Sequence, residues 1–318
     1  MSKYPFDLIR RETGKPLADP KVLAKRPFVG ARNALATDAS KFQPGGELAT
    51  AINTALCVGE PLLVTGEPGT GKTQAAYYAA WKLGVDPLIH FQVKSDSTAR
   101  DLLYHFDTVR YFQEAHLPGT TPAAAKKRMD KTNFVEKRAL WDAFEAGKQR
   151  GAPAVVLIDE IDKAPRDFPN DLLHELDQME FQVLETRETV TCDPAFRPIV
   201  FITSNSERRL PEPFLRRCVY HHIRFDDQLV KRAVEARRDE FGKLSDGFVK
   251  LALDRFFSLR SRSFRKPPAT SELLVWLRVL AAAGNIKESA LKNVEAGDLP
   301  YLGALLKDHQ DHEDAKRR

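Results

Sequence analysis

Residues 61–73 read PLLVTGEPGTGKT, and from Gly66 onward they fit the pattern G-x-x-x-x-G-K-[ST]. The apolar run Pro61-Leu62-Leu63-Val64 reads as a buried strand before the loop. Gln74-Ala75-Ala76-Tyr77-Tyr78-Ala79-Ala80-Trp81 reads as a helix after it. Gly66, Gly69 and Gly71 carry no Cβ, so the backbone between them can turn its N–H groups towards an anion. The helix that starts near Lys72 adds the positive end of its dipole. Gly66, Glu67, Pro68, Gly69, Thr70, Gly71, Lys72 and Thr73 are therefore the candidate nucleotide-binding loop. Lys72 offers a compact charge to the β- and γ-phosphates of ATP, and Thr73 offers a hydroxyl to Mg²⁺. The plain alternative is a glycine-rich turn ahead of a helix, and the flanking strand and helix count against it.

A second segment supplies what the loop lacks. Ala154-Val155-Val156-Leu157-Ile158 is apolar throughout, the pattern of a central parallel strand covered on both faces. It ends in Asp159-Glu160, and a carboxylate at the C-terminal end of such a strand lies in the ligand crevice of an open α/β sheet. Asp159 is expected to bind Mg²⁺ through a water. Glu160 is expected to orient and polarise the attacking water. Asp-Glu-Ile-Asp also suits an acid-rich helix start, a reading that weakens once the segment is paired with the phosphate loop.

The bulk properties are those of a folded chain. It has 318 residues, enough for one large and one small domain, with 42% hydrophobic and 29% charged residues and a net charge of +5. That charge permits nucleic-acid contact without arguing for it. The opening MSKYPFDLIR lacks a signal-peptide pattern, and no apolar run approaches a membrane span. Cys57, Cys192 and Cys218 are odd in number and widely spaced, so they form neither a disulfide framework nor a zinc site. A cytoplasmic protein is the default expectation.

The chain divides into four parts. Residues 1–45, with Pro5, Pro16, Pro20, Pro27 and Pro44, read as an irregular arm that packs on the nucleotide domain or on a neighbour. Residues 46–225 read as the nucleotide-binding α/β domain, with a helix over 46–60, a strand over 88–93 and an insertion at about 98–149. Beyond the acidic pair come a helix at 172–176 and a hairpin over 181–191. The strand Pro198-Ile199-Val200-Phe201-Ile202-Thr203 comes next, and Asn205 stands just past its end. Asn205 can orient the attacking water or sense the γ-phosphate; an ordinary turn asparagine is the alternative. Residues 226–305 read as a helical domain, with Asp226 or Asp227 capping its first helix and Thr270 or Ser271 capping the helix over 273–280. Residues 306–318 read as a charged, solvated, mobile tail.

Arginines near residue 216 set the subclass. Leu210-Pro211-Glu212-Pro213-Phe214-Leu215 reads as a short helical element, followed by Arg216-Arg217. Far from its own phosphate loop, an arginine there can reach the γ-phosphate of a neighbouring subunit. A surface basic cluster is the alternative.

Together GEPGTGKT, AVVLIDEID, the strand ending TSN, and LPEPFLRRC resemble the AAA+ ATPases, and within them the MoxR branch. The stretch LLHELDQMEFQVLETRETVTCDP is similar to the segment after the acidic motif in that branch. The resemblance spans about residues 46–283. It implies a P-loop NTPase fold of the AAA+ type: an αβα sandwich with a parallel sheet, followed by a small all-α lid. By it, Lys72 and Thr73 match the phosphate-loop pair, Asp159 and Glu160 the metal and water pair, Asn205 the first sensor and Arg217 the arginine finger. It further implies a homo-oligomeric ring, usually a hexamer, and chaperone-like remodelling of a protein client or of a partner with a von Willebrand A domain. One departure concerns the second-sensor arginine of the lid: the corresponding position here is Ala269 or Thr270, with Arg265 or Lys266 as substitutes.

Two other functions compete. Arg255, Arg260, Arg262, Arg265, Lys266 and Arg278 face one acid, Glu272, over 255–278, and a second basic stretch runs over 126–138. Those stretches would suit a nucleic-acid-directed AAA+ motor or regulator. The third reading, a monomeric P-loop phosphotransferase, has no use for Arg217.

Overall fold

Three runs that are apolar from end to end in the sequence become the middle of one sheet. The computed structural model describes residues 6, 20–28, 34–85, 87–116, 128–284, 286–292 and 294–317. Among these the strands are β1 (Leu62–Gly66), β2 (Ile89–Gln92), β3 (Tyr104–Phe106), β4 (Val135–Lys137), β5 (Val155–Asp159), β6 (Glu180–Val183), β7 (Glu188–Thr191), β8 (Ile199–Ser204) and β9 (Val219–Ile223). Five of them form a parallel sheet in the order β2-β5-β8-β1-β9. β1 and β5 are buried at every position, and β8 at all but its first. The outer strands β2 and β9 alternate between half-buried and exposed, as expected where an edge strand is covered less completely. Sequence order and sheet order differ, so each crossover carries a helix or a longer excursion.

Contacts divide the chain into two units. The first comprises Pro44–Gly66 and Lys72–Ile223 and contains all of these strands. Its core joins Leu63 of β1, Val156 and Ile158 of β5, and Val200 and Ile202 of β8 to an aromatic layer. In that layer Tyr104 stacks on Phe181 with centroids 6.3 Å apart, and Trp141 meets Phe181 edge-on at 5.5 Å. The segment read as an insertion supplies half of this layer. It holds the helix Ala99–Leu103, the antiparallel pair β3–β4, the helix Thr108–Ala115 and the helix Ala139–Arg150, which ends on Gly151 in the left-handed region. Phe181 comes from the antiparallel hairpin β6–β7.

The second unit gathers the described residues of Met1–Gln43, the loop Glu67–Gly71, and Arg224–Arg318. Its own core is built around Trp276, Phe256, Phe241, Leu273, Leu277 and Leu280. Asp226 caps the helix Asp227–Glu235 by accepting from Gln228 N at 2.7 Å. The helix Thr270–Ala283 is capped just before the expected Thr270 or Ser271: Ala269 is the N-cap, and its N–H donates to the Glu272 carboxylate at 3.2 Å.

The chain ends differ from expectation in what they group with and in how they fold. The described part of the arm groups with the helical unit, not with the α/β unit, because Lys41 pairs with Asp239 at 2.9 Å and Glu240 at 3.3 Å. It is also less irregular than its prolines suggest, with 3-10 turns at Pro20–Lys25 and Ala39–Lys41 around a short helix Ala34–Thr37. Most of residues 1–33 lies outside the described residues. The tail, read as solvated, forms the helix His309–Lys316, capped by Asp308. Its Asp311 is wholly buried and accepts from the backbone N–H groups of Arg265 at 2.8 Å and Lys266 at 2.9 Å. Among the described residues no helix is long and apolar enough to cross a membrane.

Asp311→Ala leaves the part-buried N–H groups of Arg265 and Lys266 without their acceptor, a loss of about 1 kcal/mol or more. Thermal unfolding of the variant should show a clearly lower midpoint. An unchanged midpoint would mean that the tail helix contributes nothing to the helical unit.

Candidate nucleotide site

Parallel register and the helix after the phosphate loop bring three other side chains to one carboxylate. β5 ends at Asp159, opposite Gln92 of β2, and Ile158 lies opposite Ile202 of β8, so Thr203 follows beside Asp159. Asp159 is 5% exposed. Thr73, at the start of the helix Lys72–Leu83, donates to Asp159 Oδ1 at 3.0 Å. Thr203 donates to the same oxygen and accepts from Glu160 N–H at 2.8 Å. His90 Nε2 stands 3.3 Å from Asp159 Oδ2, and its Nδ1 is 3.1 Å from the Tyr77 hydroxyl. Burial works against ionisation of Asp159, but the bonds from His90, Thr203 and Thr73 outweigh it. Together they hold the carboxyl below its ordinary range.

Glu160 adopts φ 60° and ψ 50°, a left-handed conformation that costs a residue with a Cβ about 1–3 kcal/mol. The turn is over-determined by its contacts. Beyond the Thr203 bond to its N–H, its carboxylate accepts from Gln92 Nε2 at 2.8 Å and from Lys163 Nζ at 2.5 Å. Asn205 Nδ2 stands 3.4 Å from its other oxygen. The bond from Lys163 to Glu160 raises the ammonium above its usual range. Asn205 is fixed in turn: its N–H and that of Glu207 donate to Asp162, which is 3% exposed, at 3.2 Å and 3.0 Å.

The loop itself needs its glycines. Gly66, Gly69 and Gly71 have φ of 149°, 78° and 93°. A Cβ on Gly71 would meet the Phe42 ring at 2.8 Å, and one on Gly69 would meet Ser271 Oγ at 2.3 Å and Ala269 Cβ at 2.9 Å. Lys72 is buried, and its Nζ donates to Gly66 O at 2.9 Å. Thr70 Oγ1 donates to Glu67 O at 2.8 Å. Arg260 pairs with Glu67 at 2.5 Å, donates to Pro268 O at 2.8 Å, and lies 3.6 Å over the Phe225 ring. A loop with glycine at its three positive-φ positions, a buried ammonium, and a hydroxyl beside a buried carboxylate together fit a nucleotide phosphate with a divalent cation.

Arg217 stands apart from these groups. β9 begins at Val219, opposite Leu62, the first residue of β1, while the phosphate loop leaves from Gly66, the last. Arg217 therefore precedes the opposite end of the strands, about 13 Å along β1 at roughly 3.3 Å per residue. Its Nε donates to Asp177 at 2.5 Å and its Nη1 to Pro213 O at 3.2 Å, with the side chain 45% exposed. Arg216 is 77% exposed and pairs loosely with Glu212 at 3.5 Å.

His90, Gln92, Lys163 and Thr203 were not singled out from sequence. Gln92 and Thr203 carried a usable signal, as polar residues at the ends of apolar strands. The contacts of the two basic stretches are mixed. Arg260 and Arg278 pair with Glu67 and Glu240, Arg128 with Glu114, and Lys137 with Glu145. Lys126 and Lys127 lie outside the described residues.

Residues 61–218 match the family AAA domain (dynein-related subfamily). The parallel sheet with its flanking helices and the helical C-terminal region have the AAA+ architecture, an αβα sandwich with an all-α lid. Nucleotide binding is the general property of this domain. No curated protein matches the chain. A solved structure from Cytophaga hutchinsonii, provisionally described as an ATPase, aligns over 89% of this chain and 92% of its own at 16% identity, with a TM-score of 0.39.

The depressed Asp159 pKa fixes a sign. Its contribution to stability is present above the unfolded value of about 3.9 and is lost as pH falls through the lower folded value. In metal-free buffer, urea unfolding of the wild type should therefore lose stability below about pH 4 more steeply than Asp159→Asn. Equal slopes would contradict the hydrogen-bonded, ionised carboxylate.

Proposed function

We propose that the chain is an ATP hydrolase of the MoxR branch. In this reading it acts as a ring, most simply a hexamer, that remodels or activates a protein partner such as one carrying a von Willebrand A domain. The observation that carries this reading is the placement of Arg217 at the end of β9 opposite its own phosphate loop. A guanidinium there is of no use to its own site but can serve a neighbour's. The AAA domain match and the loop motif support the ATP part of the proposal; the MoxR part rests on the sequence resemblance.

In this reading the loop N–H groups and Lys72 hold the β- and γ-phosphates of ATP, and Thr73 and Asp159 would hold Mg²⁺. The cation supplies charge that offsets the negative phosphate oxygens. Glu160, steadied by Asn205, orients a water whose oxygen attacks the γ-phosphorus as the bond to the ADP oxygen breaks. The water's proton passes to the Glu160 carboxylate. Lys163 and Gln92 hold that carboxylate in the structure, so it must shed or share those bonds to accept a proton. Arg217 of the neighbouring subunit stabilises charge on the transferred phosphoryl group.

Glu160→Gln should bind ATP while hydrolysing it about 10²–10⁴-fold more slowly. Arg217→Ala should also keep ATP binding, with hydrolysis down by about 10³–10⁵-fold. Normal turnover in Glu160→Gln would remove that residue from the water-activating role, and wild-type turnover in Arg217→Ala would end the shared-site reading. Lys72→Ala should weaken ATP binding, as read by nucleotide titration; undiminished affinity would overturn the role of the loop.

A further inference from the structure

The helical unit contains a second basic site that plays no part in the proposed hydrolysis. A cavity of about 160 Å³ opens between the C-terminal half of the helix Asp246–Arg260, the turn Ala296–Asp298 and the tail helix His309–Lys316. Leu259 and Leu299 form apolar parts of its wall, and Arg255, Arg262 and Arg317 line it with a single acid, Glu295.

Arg255 is the anomaly. It is half-buried, its Nε is shut off from solvent, and that nitrogen has no hydrogen-bond partner. No ion pair or hydrogen bond of its guanidinium is found among the described residues. A permanently charged group in such surroundings is costly unless a counter-charge lies beside it. The neighbouring arginines are only loosely engaged: Arg262 Nη1 donates to Ala315 O at 3.3 Å, and Arg317 stands 3.5 Å from Asp314. Three guanidinium groups face one carboxylate in the walls, and Asp314, outside them, pairs with Arg317, so the site keeps an excess of positive charge. That excess attracts a phosphoryl group, whose oxygens accept the forked donors of arginine. A single oxyanion with some of its hydration fits the volume.

We propose that this cavity binds a phosphoryl group, presented as free phosphate or as a phosphomonoester, with Arg255 as its principal counter-charge. None of the lining residues is used in the proposed hydrolysis, so the phosphate readout can fail or succeed independently of it. The tail read as solvated in the sequence forms one wall, which gives its helix a binding role as well as a packing one.

The test is titration of inorganic phosphate into the full chain at constant ionic strength, followed by calorimetry. The wild type and Lys72→Ala, in which the nucleotide loop is disabled, should both show saturable binding. Arg255→Gln in the Lys72→Ala background should weaken it at least tenfold. Arg317→Ala, at an exposed position where folding is not at risk, should weaken it less but measurably. Equal phosphate affinity in Lys72→Ala with and without Arg255→Gln would overturn the proposal, as would no saturable binding in Lys72→Ala itself. A phosphoserine peptide titrated in parallel separates the sources: tighter binding than free phosphate assigns the site to a phosphomonoester, weaker binding to the free ion, and either supports the pocket. If Arg255→Gln fails to fold by circular dichroism, Arg255→Lys and Arg317→Ala carry the test, and wild-type affinity in both would refute it.

Discussion

The Asp159 carboxylate is the point on which the α/β unit converges. It sits at the end of a strand buried at every position and is kept ionised by Thr73, Thr203 and His90, which come from three different elements. A bare carboxylate at that depth would be expected to neutralise. The strand order β2-β5-β8-β1-β9 is what sets donors from both neighbouring strands, and from the helix after the phosphate loop, around one pair of oxygens. The same register presents Glu160 one residue later, in a strained turn that Thr203, Gln92 and Lys163 hold in place. The proposed metal site and water site are thus two faces of one hydrogen-bonded strand end.

Much of this was legible in the sequence, for a physical reason. Buried parallel strands must be apolar throughout, so β1, β5 and β8 stand out, and a loop that approaches phosphate closely must be glycine-rich. Helix caps are local as well, and Asp226 was readable to within a residue. Supporting contacts were not readable. His90, Gln92 and Thr203 reach Asp159 and Glu160 only because strands far apart in sequence become neighbours, and composition carries no trace of strand order. The tail misled for the same reason. Its alternating charges look solvated, yet Asp311 is buried by backbone N–H groups some forty-five residues away.

The loop residues Glu67–Gly71 group by contact with the helical unit. Phe42 crowds Gly71, the start of the helix Thr270–Ala283 crowds Gly69, and Arg260 pairs with Glu67. Where the sequence resemblance leads one to look for an arginine at Ala269 or Thr270, a small side chain stands against the loop. The expected substitutes, Arg265 and Lys266, instead have their backbone N–H groups engaged by Asp311. Arg260, from the preceding helix, is an arginine that pairs with the loop residue Glu67.

The central claim is that a competent site takes Lys72 from one subunit and Arg217 from another. Mixing Lys72→Ala with Arg217→Ala, each nearly inactive alone, tests it most directly through ATP hydrolysis at fixed Mg²⁺. If the site is shared, the mixture should recover activity that neither variant shows, because an intact loop then meets an intact arginine at some interfaces. A mixture that stays as inactive as its components, under conditions where the two variants are shown to co-assemble, would contradict the account.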